Sequence, residues 1–187
     1  MMLSSRRATT RAGGRAPGEY SREAAGTCSL ATVIRWPAAT AMARRFREAG
    51  VPESDIFVGG PRPEKHSAVA RIRGRAGSTR KPILLLAHLD VVEALKADWS
   101  ADLDPFVFTE REGYYYGRGT ADDKAMAAIF VANAYRMKQD GFVPDGDIII
   151  ALTADEEGGN ANGVDWLLQN HPDRIDVGLV ISYRIAL

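Results

Sequence analysis

Two short aliphatic runs constrain the fold of this chain more strongly than any other feature of its sequence. The runs are Ile83–Leu86 and Ile148–Leu152, and turn-forming residues bound both of them. Aliphatic runs of this length are typical of strands that are buried on both faces of a largely parallel sheet. The sequence therefore predicts an α/β fold, with a three-layer, mostly parallel sheet that is flanked by helices.

Apolar spacing and turn signals predict the elements around these two runs. Helices are expected where apolar residues recur at helical intervals, near residues 39–46, 122–140 and 164–168. Strands are expected at residues 67–73, 83–87, 147–152 and 177–182. A hairpin is expected to join residues 106–109 to residues 114–116.

The bulk composition argues against several classes of protein. Lysine plus arginine and aspartate plus glutamate both total 24, so no global field points to a nucleic acid or a membrane surface. Cys28 is the single cysteine, which excludes an internal disulfide and a cysteine-based zinc cluster. No apolar run approaches the roughly 18–20 residues of a membrane span. No apolar segment of a signal peptide follows the N-terminal arginines, and a cytoplasmic location is the resulting expectation.

The first 26 residues differ in composition from the rest of the chain. Residues 1–26 are rich in Arg, Ser, Thr, Gly and Ala without periodicity, which predicts a basic disordered tail. Nucleic-acid binding is the alternative for these arginines, but no aromatic platform accompanies them, and a solvated extension is favoured. Residues 27–187 are long enough for one domain with its own core.

Side chains with metal-binding chemistry follow the predicted strands. His88 and Asp90 come after the first aliphatic run, and Glu156 and Glu157 follow the second. Asp122 lies between a glycine-containing turn and the start of a predicted helix. In open α/β sheets, ligands and chemistry collect beyond the carboxyl ends of the strands, so these side chains are expected at one edge. One imidazole with several carboxylates suits a divalent cation.

Each of these motifs has a plainer interpretation when it is taken alone. A lone histidine at a strand end is usually a satisfied core residue, and acids in a loop are usually solvated. Asp122 can serve as a helix N-cap. Glu156 and Glu157 are neighbours and reach one site only if the backbone turns there, which Gly158-Gly159 favours. The joint occurrence of all three motifs at one sheet edge favours a shared site.

Four ordered motifs resemble a known family, the dinuclear zinc peptidases. That family includes glutamate carboxypeptidase, aminoacylases, carnosinase-type dipeptidases and succinyl-diaminopimelate desuccinylase. The similar stretch runs from about Ala39 to Ile181, and its most specific parts are Leu86–Val92, Trp99 with Asp104–Phe106, Gly117–Lys124 and Asp155–Gly159.

The resemblance implies a role for each residue of the predicted site. His88 would bind one metal, Asp122 would bridge two metals, and Glu157 would bind the second. Glu156 would act as the general base, and Asp90 would orient His88. The implied cofactor is a pair of Zn²⁺ ions, with Co²⁺ or Mn²⁺ as alternatives. The implied reaction is hydrolysis of an amide or peptide bond in a dipeptide, an N-acyl amino acid or a C-terminal residue.

The family pattern is incomplete in this sequence. The family has a further acid after the strand that corresponds to residues 179–182 and a histidine beyond an inserted dimerisation domain, whereas Tyr183–Leu187 contains no acid. Residues 27–187 are therefore expected to be the N-terminal part of a catalytic domain, without the dimerisation domain through which family members often form homodimers. An inactive remnant that mediates protein contacts is the alternative. A nucleotide-binding module at Gly117–Gly119 is disfavoured, because the turn lacks both phosphate-binding glycine patterns.

Overall fold

The computed structural model describes residues 37–182. Within these residues the α-helices are α1 (Pro37–Glu48), α2 (Lys124–Gln139) and α3 (Gly163–Asn170). The strands are β1 (Ile56–Gly59), β2 (Ser67–Ile72), β3 (Ile83–His88), β4 (Thr109–Arg111), β5 (Tyr114–Tyr116), β6 (Ile148–Thr153) and β7 (Leu179–Ser182). The predicted tail, residues 1–26, lies outside the described residues. Within residues 37–182, no helix is both long and apolar enough to cross a membrane.

Five strands form the main sheet in the order β1-β2-β6-β3-β7. Strand β3 pairs in parallel with both β6 and β7, while β1 pairs antiparallel with β2 and β2 pairs antiparallel with β6. The sheet is therefore mixed, with its parallel part confined to β6, β3 and β7. The connection from β1 to β2 is too short for a parallel crossover, which explains the antiparallel pairing of these two strands.

Helices cover both faces of the sheet, which confirms the predicted three-layer α/β architecture. Along β6, Ile150 and Leu152 face one apolar cluster, and Ile149 and Ala151 face the other. The first cluster contains apolar residues of α1 and α2, including Phe46 and Phe130, while the second contains Leu167 of α3. The alternation along β6 is that of a strand buried on both faces, in agreement with its continuous aliphatic run.

The structure corrects the sequence prediction at two strands. Strand β1 was not predicted, because it is only four residues long and mostly half-buried, without a periodic pattern. The hairpin exists, but its first strand begins at Thr109, so the prediction of a strand from Phe106 is wrong. The Asp104 carboxylate accepts the Phe106 N–H at 2.9 Å, and the Asp104 carbonyl accepts the Val107 N–H at 3.1 Å, which holds this segment in a turn.

Candidate metal centre

The carboxyl ends of β3 and β6 lie side by side and form the base of the candidate centre. His88 is the last residue of β3 and is in register with Thr153, the last residue of β6. The pairing continues for one more step, since the Leu89 N–H donates to the Thr153 carbonyl at 2.8 Å. The residues that follow each strand, Asp90 after β3 and the acid pair (Glu156 and Glu157) after β6, therefore emerge at one sheet edge, as the strand pattern predicted.

The three predicted metal ligands converge at this edge. His88 Nε2 lies 3.1 Å from Asp122 Oδ1. One ligand atom from each of His88, Asp122 and Glu157 lies within 4.8 Å of the others. Two ligands of one zinc ion lie at most about 4.2 Å apart, since each bond is about 2.1 Å long. His88 Nε2 and Asp122 Oδ1 already satisfy this limit, and a side-chain adjustment of less than about 1 Å would bring the Glu157 oxygen within coordination distance of an ion that Asp122 also binds.

Asp90 connects the two strand-end motifs. His88 Nδ1 lies 3.2 Å from the Asp90 backbone oxygen and 3.6 Å from Asp90 Oδ1. Asp90 Oδ2 accepts the backbone N–H of Glu157 at 3.0 Å. Asp90 thus contacts the imidazole of one predicted ligand and the backbone of another. These contacts are the ones expected of a residue that orients a metal-binding histidine.

The hydrogen-bond requirements of His88 fit a cation. Both of its ring nitrogens face oxygen acceptors, the Asp90 backbone and the Asp122 carboxylate, whereas a neutral imidazole has only one N–H. Burial lowers the pKa of His88, but the carboxylates of Asp90, Asp122 and Asp123 outweigh burial and raise it. Either a second proton or a cation at Nε2 satisfies this arrangement. A nitrogen and carboxylate oxygens are also the donors that Zn²⁺ accepts, so the residues fit a metal ion.

The acid pair reaches this site because the chain turns directly after β6. Asp155 has a φ of +61°, a left-handed conformation that is uncommon outside glycine, and Gly158 and Gly159 follow with positive φ. The turn therefore begins one residue before the acids, not at the glycines. Glu156 Oε2 lies 3.9 Å from His88 Nε2, and its side chain is about half exposed. Burial and the charge of Asp122 raise the pKa of Glu157.

Asp123 is a residue of the site that sequence reasoning missed. Asp123, not Asp122, occupies the N-cap position of α2, so the interpretation of Asp122 as an N-cap is wrong. The Asp123 side chain makes no capping bond; instead, its Oδ2 accepts the backbone N–H of His88 at 3.3 Å. Burial raises the pKa of Asp123 to about 6. No local pattern in the sequence indicates this role of Asp123, because the contact joins residues that are distant in the chain.

The glycine-containing turn before Asp122 packs tightly against the segment that follows β3. The Arg118 N–H donates to the Pro105 carbonyl at 2.7 Å, and the Arg118 guanidinium lies 6.0 Å from the Trp99 ring. Gly119 has a φ of +79°, and a Cβ atom there would lie 2.5 Å from Val91 Cγ1. Glycine is therefore required at position 119 by both conformation and space. The turn places Asp122 next to His88, at the carboxyl end of β3.

Comparisons with known proteins agree with this fold. The model of "Peptidase family M20/M25/M40" matches residues 84–184, more than half of the 187-residue chain. A succinyl-diaminopimelate desuccinylase of Parvibaculum lavamentivorans is 40% identical over 126 residues, which cover 67% of this chain and 27% of that relative.

Solved structures share the fold at low sequence identity. Human carnosine dipeptidase 1 superposes with a TM-score of 0.70 at 18% identity, over 91% of this chain and 39% of that protein. The Bacillus subtilis protein YXEP, described as a dinuclear metal-binding peptidase from the M20 family, has a TM-score of 0.61 at 14% identity, over 89% of this chain and 43% of that protein.

The lengths of these proteins differ from that of the chain. The chain spans about a quarter of the length of the desuccinylase and about two fifths of the length of the dipeptidase. The matched region nevertheless contains every predicted metal ligand and the acid pair. The family match over residues 84–184, together with the shared fold, shows that the chain belongs to peptidase family M20/M25/M40.

Proposed function

We propose that the chain is part of a metal-dependent hydrolase that cleaves an amide or peptide bond in a small substrate. The observation that carries the proposal is the convergence of His88, Asp122 and Glu157, with ligand atoms within 4.8 Å of one another. The site lies beside Glu156 at the carboxyl ends of two neighbouring strands. Membership in a peptidase family supports the same class of reaction.

The three ligands would hold two metal ions. His88 would hold the first, Glu157 the second, and Asp122 would bridge them. Zn²⁺ is the proposed ion because imidazole and carboxylate are both among its common ligands, with Co²⁺ or Mn²⁺ as alternatives. When bound, such ions lower the pKa of a water molecule to about 7 and polarise the substrate carbonyl.

Asp90 and Glu156 would supply the remaining protein chemistry. In the tautomer with its proton on Nδ1, His88 would donate to the Asp90 carbonyl and keep the Nε2 lone pair for a metal. Glu156 Oε2 would take a proton from the attacking water and pass it to the leaving amine. Its half-exposed carboxylate lies 3.9 Å from His88 Nε2, farther than the 3.1 Å of Asp122 Oδ1. This position suits a base that stands beside the ligands without being one.

The names of two similar proteins support the proposed substrate class. One relative is named for the removal of a succinyl group from diaminopimelate, and one structural neighbour is named as a carnosine dipeptidase. Both names describe small molecules in which an acyl group is joined to an amine. We therefore propose a small substrate of one of three kinds: a dipeptide, an N-acyl amino acid, or a molecule from which a C-terminal residue is released.

The first test is calorimetric titration of the metal-free chain with Zn²⁺. We expect saturable binding that Asp122→Ala abolishes, because this substitution removes the shared ligand. Asp140→Ala is the matched control, since Asp140 lies at the opposite end of α2 in an exposed ion pair with Arg136. The control is expected to bind Zn²⁺ like the unaltered chain. Equal titration curves for Asp122→Ala and the unaltered chain would refute the ligand assignment.

A further inference from the structure

Asp155 forms a buried polar anchor directly before the acid pair. Its side chain is only 4% exposed. The carboxylate pairs with the Lys65 ammonium group and accepts the backbone N–H of Ala161 at 2.9 Å. The Asp155 carbonyl accepts the side-chain amide of Asn162 at 3.3 Å. Both ends of the loop that contains Glu156 and Glu157 are therefore attached to one residue.

The loop wraps around the Asp155 carboxylate. Gly159 lies against it so closely that a Cβ atom there would be 2.5 Å from Asp155 Oδ2. Glu156 and Glu157 lie on this wrapped segment, between the left-handed Asp155 and the two glycines. Their backbone positions thus depend on where the Asp155 carboxylate is held.

The cation that holds this carboxylate comes from the connection between β1 and β2. Lys65 ends the short 3-10 turn Pro63–Lys65, and its backbone N–H donates to the Arg62 carbonyl at 2.9 Å. The Arg62 guanidinium also contacts the loop that contains Glu156 and Glu157, called the acid loop below. It donates to Asn160 Oδ1 of this loop at 2.9 Å. This connection lies at the same sheet edge as the candidate centre, because Ala68 near the start of β2 is in register with Leu152 near the end of β6.

We infer that Lys65 is a positioning residue for Glu156 and Glu157, acting through Asp155; the inference rests on the proposed function. Among the described residues, loss of the ammonium group would leave the buried Asp155 carboxylate with the Ala161 N–H as its remaining hydrogen-bond donor. A buried charge that loses its partner is strongly destabilising, so the loop would rearrange to hydrate it. The rearrangement would move both acids away from His88.

The chain contains a matched control for the loss of such an ion pair. Arg73 donates to the carboxylate of Asp55 at 2.5 and 3.0 Å, and Asp55 is 7% exposed. Arg73 follows β2, whose last residue, Ile72, is in register with Ile148 at the start of β6. This second pair therefore lies at the sheet edge opposite the candidate centre. Removal of the Arg73–Asp55 ion pair therefore measures how much loss of a buried ion pair destabilises the fold when the acid loop is not displaced.

The experiment compares the Zn²⁺ affinity and the thermal midpoint of the full chain with those of three variants, Lys65→Met, Lys65→Arg and Arg73→Met. We expect Lys65→Met to weaken Zn²⁺ binding by about 10- to 100-fold, the range typical for loss of residues that support metal ligands. Lys65→Arg keeps the charge and is expected to restore most of the affinity. Arg73→Met is expected to lower the thermal midpoint while leaving Zn²⁺ affinity unchanged.

The outcomes separate this inference from the proposed function. If the unaltered chain binds Zn²⁺ and Lys65→Met binds it equally well, the positioning role is overturned and the metal site remains. If Arg73→Met weakens binding as much as Lys65→Met, the effect is one of general stability, and the positioning role is again overturned. If the unaltered chain binds no Zn²⁺, the proposed function fails, and the inference fails with it.

Discussion

His88 is the residue on which the candidate centre depends most directly. Its side chain is buried, and it contacts a backbone carbonyl on one side and a carboxylate on the other. A proton and a metal ion compete for the same Nε2 position, since a metal-binding imidazole must be neutral. The acids that raise the pKa of His88 are also those that would attract the cation.

The adjacent acids Glu156 and Glu157 are expected to have separable roles. Glu157→Gln should weaken Zn²⁺ binding by at least about tenfold because it removes a ligand, whereas Glu156→Gln should retain the metal because a general base need not be a ligand. Titration of both variants with Zn²⁺ checks this difference. Where turnover is measurable, Glu156→Gln is expected to lower it by a factor on the order of 100. Loss of metal from Glu156→Gln alone would mean that the two roles are exchanged.

The residues of the site were predictable to different degrees. His88, Asp90 and the acid pair follow aliphatic runs that the sequence makes obvious, and the structure places them at one edge. Asp123 was missed because its role is a contact with the backbone of a residue 35 positions away. Lys65 was missed for the same reason, since its partner lies 90 positions away. Local spacing carries no information about such contacts.

At the level of secondary-structure elements, hydrogen bonds of Asp147 connect the start of β6 to the end of β2. Asp147 Oδ1 accepts the Gly74 N–H at 2.8 Å, and Oδ2 lies 3.0 Å from the Arg71 guanidinium. Burial raises the pKa of Asp147, but the Gly74 N–H and the charges of Arg71 and Arg73 outweigh burial and lower it. The strands were predictable from their aliphatic runs, whereas these contacts were not, because they join residues that lie more than 70 positions apart in the chain.

The contribution of the Asp147 carboxylate to stability can be tested with Asp147→Asn, through the pH dependence of the free energy of unfolding. The folded pKa lies below the unfolded value of about 4, so the stabilisation is complete above that value and is lost as the pH falls through the folded pKa. We expect Asp147→Asn to lower the free energy of unfolding by about 1–2 kcal/mol at pH 7, and the difference to shrink below about pH 4. Urea denaturation between pH 7 and pH 3 measures both quantities.

A neighbouring aspartate provides the control for this experiment. Asp145 pairs with Arg75 at 2.8 Å, but both side chains are largely exposed. Asp145→Asn is therefore expected to change the free energy of unfolding by less than about 1 kcal/mol. A destabilisation by Asp147→Asn that stays constant down to pH 3 would contradict the proposed origin in an ionised, hydrogen-bonded carboxylate.

At the scale of the whole molecule, the mixed sheet explains how distant motifs form one site. The parallel pairing of β3 with β6 brings the ends of both strands together, and α2 begins beside them at Lys124. The antiparallel β2 starts at the same edge, which places the Lys65 turn next to the acid loop. The α/β layers were predictable from the buried aliphatic runs, whereas the antiparallel part of the sheet includes the unpredicted strand β1.

The position of a bound zinc ion would show directly whether the metal centre lies at the ends of β3 and β6. Crystals of the zinc-loaded chain, measured at the zinc absorption edge, should show an anomalous peak about 2.0–2.2 Å from His88 Nε2 and from a carboxylate oxygen of Asp122. A second peak is expected near Glu157 if two ions bind. Zinc bound only at another histidine, such as His66 or His171, or no ordered zinc at the sheet edge, would contradict the assignment of the metal centre.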